Sequence, residues 1–353
     1  MKIVFLSPLP PYRGGIAQFG KMLLTSLKRL NHDVTEINYS HLYPDVLFPG
    51  KTQFEKADSQ PDGLLHSYNP FLWAKTKTII KQAKPDLIIS QWWHPFFSPC
   101  LTSVIPGNIN SVAICHNIAP HESIPFAKLL TTYYLKKQNL LVVHSKKAER
   151  DAEKLNKTVL RLFHPIYNQY ENTGLTREKA RKKLKLPPGQ TALLFFGLVR
   201  DYKGLDLLIK AMDFLPENFR IIAAGENYTN KTFSSPKLLW ENSFVPDKEV
   251  GTWFNASDIV VLPYKTATQS GIAQIALAFN KPLVVTNQGG LPETVVNNQT
   301  GVIAQNVTPE SIADAILQCS KQIGNSITTA NIKKKASEFS WVSYAEKLME
   351  AIK

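Results

Sequence analysis

Two cations stand between an apolar run and the helix-like segment that follows it. Arg200 and Lys203 lie in the loop LVRDYKG, directly after the run TALLFFG. Because a helix amino end disfavours positive side chains, cations at this position indicate an anionic ligand that neutralises them. Arginine can hold a phosphate through paired hydrogen bonds and lysine adds a point charge, so a diphosphate is a suitable ligand. The alternative is a solvated turn.

A pair of glycines occupies the corresponding place near the start of the chain. Gly14 and Gly15 follow the run KIVFLS and precede a helix-like segment. They would let the backbone approach a ligand, and the helix amino end would offer unpaired N–H groups to an anion. The dinucleotide fingerprint GxGxxG and the P-loop are both absent from the sequence. The glycines therefore predict an anion site or only a tight turn.

A third loop, in the segment YKTATQSGIAQIALAF, is rich in neutral hydrogen-bonding groups. Thr266, Thr268, Gln269 and Ser270 precede a helix-like stretch, and Gly271 allows a close approach of the backbone. This composition suits sugar hydroxyls together with a phosphate.

The elements that position these loops are short apolar strands alternating with helices. Strand-sized runs without clear alternation occur at 87–90, 112–116 and 140–145, and again as TALLFFG, RIIAAG, DIVVLPY and PLVVT. Such strands are typical of a parallel sheet covered on both faces, which predicts an α/β fold. A charged stretch at 172–190 separates two such patterns, and ligands of open α/β sheets bind beyond the carboxyl ends of the strands.

Length and composition exclude several classes of protein. The 353 residues exceed one typical domain, and 44% hydrophobic residues can bury substantial cores. The apolar runs are shorter than the ~20 residues of a membrane-spanning helix, and the amino end is too short for a secretory signal. The three cysteines show no metal-binding spacing. We expect a cytoplasmic protein with reduced cysteines.

The formal net charge of +13 indicates an anionic partner or only a solvated basic surface. Most of the excess lies before residue 170. The basic clusters at 181–183 and 333–335 lack interleaved aromatics and match no nucleic-acid-binding signature. We therefore predict no nucleic-acid partner, an interpretation that tight binding to random oligonucleotides at physiological salt would reverse.

Taken together, the motifs resemble the retaining glycosyltransferases of family 4 (group 1). These motifs are FGLVRDYKG, RIIAAGE, FVPDKEVGTWFNASDIVVLPY, SGIAQIALAFNKPLVVT, QGGLPETV and TGVIA. The resemblance implies a GT-B fold, with two Rossmann-like domains facing across a cleft. It predicts an acceptor domain at 1–170, a donor-binding domain at 171–335, and a final amphipathic helix, 336–353, that packs back on the first domain.

The resemblance also implies roles for individual residues. Arg200 and Lys203 would hold the diphosphate of a nucleotide-sugar, and Gly15 would approach it from the other domain. His116, at the end of VAICHN, matches a histidine that faces the sugar, although a buried strand-end residue is the alternative. The implied catalytic set is His116, Arg200 and Lys203. The implied donor-binding set is Gly14, Gly15, Arg200, Lys203, Gln269, Ser270, Gly271, Ile272 and Gln274.

One departure from the family pattern concerns its pair of glutamates, which are separated by seven residues. The matching stretch around Gly271 contains no acid and is one residue shorter. We interpret Gln269 and Gln274 as neutral substitutes. The alternative is a non-catalytic homologue that binds a nucleotide-sugar as the partner of another transferase.

The implied reaction transfers a sugar from a nucleoside diphosphate sugar, UDP- or GDP-linked, to a hydroxyl with retention of configuration. The sequence contains no DxD triplet, so we expect neither a metal nor another cofactor. The HExxH pattern of zinc proteases and the GxSxG elbow of serine hydrolases are also absent.

The acceptor would be a saccharide or a lipid-linked molecule, as in cell-surface polysaccharide or glycolipid biosynthesis. The stretch IPFAKLLTTYYLKK, residues 124–137, mixes aromatics and aliphatics with lysines. It predicts either peripheral contact with an anionic membrane at its inner face or a lining of the acceptor cleft or the core.

Overall fold

The computed structural model describes residues 1–44, 48, 52–55, 59, 61–118, 126–170 and 175–352. The chain divides into two compact units, Met1–Phe163 with Trp341–Lys353, and His164–Ser340. Each unit has its own parallel sheet and its own hydrophobic core. The predicted α/β class with two Rossmann-like parallel-sheet domains is therefore confirmed.

The first unit alternates strands and helices as the apolar runs predict. Its described elements are β1 (Lys2–Leu6), α1 (Gly15–Arg29), β2 (Asp33–Ile37), β3 (Tyr39–His41), β4 (Leu65–His66), α2 (Pro70–Gln82), β5 (Leu87–Trp92), α3 (Ser98–Val104), β6 (Asn110–Cys115), α4 (Ala127–Leu135), β7 (Leu140–Val143), α5 (Lys146–Glu153), β8 (Thr158–Arg161) and α12 (Trp341–Glu350). The described strands of the main sheet are all parallel, in the order β2-β1-β5-β6-β7-β8. Strands β3 and β4 form a separate pair.

The second unit repeats this plan. Its described elements are α6 (Arg177–Lys183), β9 (Thr191–Phe196), α7 (Leu205–Ala211), β10 (Phe219–Ala224), β11 (Leu238–Glu241), α8 (Asp247–Ala256), β12 (Ile259–Leu262), α9 (Gly271–Ala278), β13 (Leu283–Thr286), β14 (Gly301–Ala304), α10 (Pro309–Ser320) and α11 (Ser326–Ser337). The described strands are again parallel, in the order β11-β10-β9-β12-β13-β14.

The strand order determines where each unit can bind a ligand. The chain leaves β1 toward β2 on one side of the sheet and later returns to β5 on the other side. The second unit does the same around β9, with β10 on one side and β12 on the other. Such a reversal opens a crevice at the carboxyl ends of the two central strands. The glycine loop follows β1, and the loop of Arg200 and Lys203 follows β9.

The unit boundaries differ from the predicted domain limits at 170 and 335. The second unit begins at His164 because Tyr167 and Tyr170 are buried in it, beside α8 and α9. It ends at Ser340, since α11 packs on α9 and the N–H of Ile166 donates to the carbonyl of Phe339 at 3.0 Å. Residues 171–174, where the sequence pattern predicted the boundary, lie outside the described ranges.

The last helix, α12, packs on α1 of the first unit. The Trp341 ring lies edge-on to Phe19 at 4.9 Å between centroids. The Tyr344 hydroxyl is 2.9 Å from Nε2 of His144. Among the helices of the described residues, none combines the length and the apolar composition that crossing a bilayer requires.

Candidate functional site

The loop after β9 brings Lys203 over Gly197 and beside Ile272, the second residue of α9. A Cβ built on Gly197 would lie 3.2 Å from Lys203 Nζ and 3.5 Å from Ile272 Cδ1. The loop bends through a 3₁₀ turn at Asp201–Lys203 and enters α7 at Gly204, whose φ is 72°. An L side chain at Gly204 would be strained, and its Cβ would lie 2.1 Å from the Pro263 carbonyl oxygen.

The neighbouring carboxylates are engaged by other lysines. Asp201 pairs with Lys231, and Asp206 pairs with Lys265 at 2.7 Å. Among the described residues, Lys203 forms no ion pair. Burial and the nearby Arg200 guanidinium lower the pKa of the Lys203 ammonium to about 8. A half-buried cation held in this way is prepared to bind an anion.

Arg200 packs against an aromatic ring that sequence reasoning did not single out. Its guanidinium carbon lies 5.2 Å from the centroid of the Tyr228 ring, a distance at which cation–π attraction operates. The N–H of Tyr228 donates to the Val199 carbonyl at 2.9 Å. The loop after β10 thus positions the arginine that follows β9.

Within the described part of the chain, no side chain caps the amino end of α9, although a serine occupies its cap position. Ser270 makes no side-chain capping hydrogen bond. Its Oγ instead lies 3.2 Å from the hydroxyl of the buried Tyr264. The first-turn N–H groups and the positive end of the helix dipole therefore remain for a ligand. Tyr264 also lies beneath Lys203, with Nζ 5.9 Å from its ring centroid.

Backbone hydrogen bonds lock three loops of this unit together. The N–H of Lys265 donates to the Tyr202 carbonyl at 2.7 Å, which ties the α9 loop to the Lys203 turn. The N–H of Gly290, in the motif QGGLPETV, donates to the Thr268 carbonyl at 3.0 Å. These contacts hold the polar loop before α9 close to the two cations.

The two glutamines of the α9 segment carry buried oxygens that lack a donor. Oε1 of Gln269 and Oε1 of Gln274 are buried and accept no hydrogen bond from the described residues. A buried unsatisfied acceptor is unfavourable, so a donor supplied by a ligand would stabilise it. Hydroxyl groups are donors of this kind.

In the first unit, the glycine loop leaves space beside an uncapped helix. Gly14 is the cap residue of α1 and has a φ of 98°. A Cβ built on Gly14 or Gly15 would meet no described atom within 4 Å. The first turn of α1 contains no acidic side chain. The amino end of α1 can therefore receive an anion, and the predicted contact of Gly15 with a diphosphate stays a prediction.

His116 follows β6, is 7% exposed, and is connected to the α1 loop through Gln91. Nε2 of His116 lies 2.7 Å from Oε1 of Gln91. The Gln91 amide group donates to the Ile16 carbonyl at 3.1 Å and to the Ser7 hydroxyl. Because this orients Oε1 toward the histidine, Nε2 of His116 carries the proton and donates. The buried strand-end interpretation thus describes the environment of His116, and its catalytic role stays a prediction.

Helix α4 of the predicted acceptor stretch has one buried side and one exposed side. Tyr134 stacks on Trp92 in the core, at 4.7 Å between centroids. Leu129 and Tyr133 are 66% and 52% exposed, at a spacing that places them on one side of the helix. Phe126, the residue before α4, is 77% exposed. Lys137 Nζ lies 3.2 Å from the Tyr133 hydroxyl at the end of this side. Residues 124 and 125 lie outside the described ranges.

The structure therefore gathers the predicted residues into one cluster in each unit. Arg200, Lys203, Ser270, Gly271 and Ile272 come together in the second unit, with Gln269 and Gln274 on the adjacent loop and helix. Gly14, Gly15 and His116 are linked in the first unit. No three metal-ligating side chains gather anywhere in the described residues, and the expectation of no metal stays a prediction.

Sequence reasoning missed Gln91 and Tyr264. Gln91 is a polar residue inside the otherwise apolar strand LIISQW, a signal that could have identified it. Tyr264 follows the strand IVVL and had no comparable signal, because only its packing reveals the contacts with Lys203 and Ser270.

The chain is similar to known glycosyltransferases. Residues 176–339 match the family described as glycosyl transferases group 1. An uncharacterized glycosyltransferase of Methanocaldococcus jannaschii is 26% identical over 96% of this chain and 93% of its own length. A putative teichuronic acid biosynthesis glycosyltransferase of Bacillus subtilis is 23% identical over 90% of this chain and 88% of its own.

Solved structures share the fold at lower sequence identity. Anabaena HepE, in complex with UDP-glucose, superposes with a TM-score of 0.72 at 16% identity. The match covers 100% of this chain and 99% of that chain. The predicted α/β fold with two parallel-sheet domains is therefore confirmed.

Proposed function

From the match of residues 176–339 to the glycosyl transferases group 1 family, we propose that this protein is a retaining, family 4 glycosyltransferase. It moves a hexosyl unit from a nucleoside diphosphate sugar to a hydroxyl group. The observation that carries the proposal is the position of the Lys203 ammonium, which forms no ion pair among the described residues. It lies beside Arg200 at the uncapped amino end of α9, while the nearby carboxylates pair with other lysines.

These groups act on the diphosphate that leaves the sugar. As the bond between the anomeric carbon and the diphosphate oxygen breaks, negative charge grows on that oxygen. Arg200, Lys203 and the N–H groups of α9 stabilise this charge because they are already in place. The acceptor oxygen forms the new bond on the same face, and its proton passes to the leaving diphosphate. No enzyme nucleophile takes part, and His116 would contact the sugar.

The donor proposed is UDP- or GDP-linked, with no metal ion and no other cofactor. UDP-glucose bound to the structurally similar HepE supports a uridine nucleotide. The cations of the β9 loop supply the positive charge that a metal would otherwise bring to a diphosphate. The orphan oxygens of Gln269 and Gln274 would accept hydrogen bonds from donor hydroxyls.

The acceptor proposed is a saccharide or lipid-linked hydroxyl in cell-surface polysaccharide or glycolipid biosynthesis. The Bacillus subtilis relative, named for teichuronic acid biosynthesis, supports this choice. The exposed side of α4 supports contact with an anionic membrane, because it joins Phe126, Leu129 and Tyr133 to Lys137. The protein would then act in the cytoplasm, at the inner face of the membrane.

A second candidate is a non-catalytic nucleotide-sugar-binding homologue. The observation that favours it is the replacement of the family's two glutamates by neutral residues around Gly271. Donor binding without turnover across a broad acceptor panel would favour this candidate.

The test is binding of UDP-, GDP-, ADP- and dTDP-sugars to the purified protein by calorimetry, with no added metal. We expect one clear binder, and we expect Arg200→Ala/Lys203→Ala to lose it. Lys210→Ala is the matched control, since it removes an exposed cation from α7. Absence of binding to every donor, or equal binding by the double variant, would contradict the proposal.

A further inference from the structure

Two adjoining cavities open at the amino ends of β9, β12 and β13, the sheet edge opposite Arg200 and Lys203. We call them the amino-edge cavities. One measures about 600 Å³ and the other about 400 Å³, and both are lined by Arg177, Asp258 and Ile323. These volumes lie in the range of small-molecule sites. Thr191, the first residue of β9, lines the larger cavity, and Pro282, the residue before β13, lines the smaller one.

Asp258 is the anionic centre of these cavities, and its hydrogen bonds are filled. Its Oδ1 accepts from Arg177 Nη2 at 2.6 Å, and its Oδ2 accepts from Arg181 Nη1 at 3.1 Å. Oδ2 also accepts from the N–H of Ala192 at 2.8 Å. Arg181 donates further to the carbonyls of Ala256 and Gln190, so its guanidinium is committed to the fold.

Arg177 and Lys281 are cations that can still bind an anion. Nε and Nη2 of Arg177 donate to Asp258, and its Nη1 donates to no atom of the described residues. Within the described residues, Lys281 Nζ donates to two carbonyls, those of Ser257 at 2.7 Å and Asn255 at 3.4 Å, and to no carboxylate. Burial, together with Arg177 and Arg181, lowers the pKa of Lys281 to about 8, against the opposing effect of Asp258. The Arg177 side chain is 49% exposed and Lys281 is partly buried, so an anion can reach both cations and offset the desolvation of Lys281.

The described lining of the two cavities is positive overall and also offers an acceptor. Four cationic side chains line them against two carboxylates, Glu178 and Asp258; the four are Arg177, Arg181, Lys182 and Lys281. Gln322 lines the smaller cavity, and its buried Oε1 accepts no hydrogen bond from the described residues. A ligand that carries both a phosphoryl group and a hydroxyl group would complement this lining.

We propose that the amino-edge cavities form a second anion site, which binds a phosphate-bearing small molecule between Arg177 and Lys281. Arg181 and Asp258 hold the framework, Arg177 Nη1 and Lys281 Nζ bind the phosphoryl oxygens, and Gln322 accepts from a ligand hydroxyl. The site lies in the same unit as the proposed donor site but shares no residue with it.

The test measures binding of inorganic phosphate by calorimetry, in the Arg200→Ala/Lys203→Ala background so that the donor site contributes little. Potassium chloride at equal ionic strength corrects for general screening. Into this background we introduce Arg177→Gln/Lys281→Gln. The matched control is Lys179→Gln/Lys248→Gln, which removes two exposed cations from α6 and α8 and lines neither cavity.

We expect saturable phosphate binding that weakens at least about tenfold in Arg177→Gln/Lys281→Gln, because two charge-assisted hydrogen bonds are lost. The control variant should bind phosphate as the background does. Equal affinity in both variants, or no response beyond that of chloride, would overturn the proposal. Arg177→Gln alone, which leaves Arg181 on Asp258, carries the same test if the double variant does not fold. Failure here leaves donor binding by Arg200 and Lys203 untouched, so the two proposals fail separately.

Discussion

The two units share a sheet topology and a loop position, yet they place different chemistry there. After β9, the second unit brings Arg200 and Lys203 to the uncapped amino end of α9. After β1, the first unit presents the glycine-capped amino end of α1, with open space beside Gly15. One loop supplies charge, and the other supplies backbone donors and access.

The strand order supplies only the position of a site. The crevice at the carboxyl ends of the central strands is common to both units. The loop residues then decide what can bind there. In the second unit, pairing of Asp201 and Asp206 with other lysines leaves Lys203 available, whereas in the first unit a buried His116–Gln91 pair supports the loop.

The largest expected effect follows from removing a cation of the second unit. We expect Arg200→Ala to lower turnover by about 10²- to 10³-fold, because a preorganised donor to the leaving diphosphate is lost. Steady-state kinetics with the donor found by calorimetry measures this, with Lys210→Ala as the control. Wild-type turnover in Arg200→Ala would show that the second unit does not act through this cation.

The next largest effect should differ between Gly204 in the second unit and Gly15 in the first. Gly204→Ala should destabilise the protein by about 1–3 kcal/mol through strain of the left-handed backbone. The loss should be larger still because the new Cβ would meet the Pro263 carbonyl oxygen. Gly15→Ala meets no described atom and should leave the melting temperature unchanged while weakening nucleotide binding. Thermal unfolding and calorimetry on both variants measure the contrast.

Gly189→Ala serves as the control for strain alone. Gly189 has a φ of 74°, close to that of Gly204, but open space surrounds its Cβ position among the described atoms. Its loss of stability should therefore be smaller than that of Gly204→Ala. If Gly15→Ala binds the donor as tightly as the wild type, the glycine loop of the first unit does not approach the nucleotide.

A smaller effect depends on the protonation of Lys203. With a pKa of about 8, Lys203 is mostly protonated at pH 7 and mostly neutral at pH 9. Affinity for a diphosphate should therefore fall by up to about tenfold over this range, since only the protonated amine attracts the anion. The midpoint should lie at or above 8, because a bound anion favours protonation. Lys203→Arg should abolish the dependence in a pH series of calorimetric titrations.

Without a ligand, the contribution of Lys203 to the stability of the protein should change with pH in the direction opposite to the change in affinity. The pKa of Lys203 is lower in the folded state than its ordinary value of 10.5. The unfolded chain therefore binds more protons between pH 8 and 10.5, and the contribution of Lys203 to stability increases as pH rises through that window. Without ligand, the melting temperature of the wild type should therefore gain on that of Lys203→Arg as the pH rises from 8 to 10.5. A loss over this range would contradict the assignment.

The smallest effect concerns the exposed side of α4, which belongs to the first unit. Leu129→Gln should weaken binding to vesicles of anionic phospholipid by about fivefold, the loss expected for about 1 kcal/mol of apolar contact. Co-sedimentation measures the bound fraction, with Ile327→Gln on α11 as the matched control, since Ile327 is also exposed. Equal loss in both variants would place no membrane contact on α4.

Much of the fold could be predicted because short apolar runs, which form the buried strands, recur along the sequence. The runs before Gly14 and Arg200 became β1 and β9. The second-unit boundary could not be placed, because the chain enters that unit through Tyr167 and Tyr170, whose burial no local pattern signals.

The chemistry available at each loop follows from residue type and spacing alone, which place cations after β9 and glycines after β1. Which of those groups can act depends on the contacts that form when the chain folds. Folding diverted Asp201 and Asp206 to other lysines, drew the Ser270 hydroxyl to Tyr264, and joined His116 to Gln91. The physical reason is that hydrogen bonds and ion pairs form between residues distant in sequence. Only the folded chain shows which polar groups are already satisfied and which remain for a ligand.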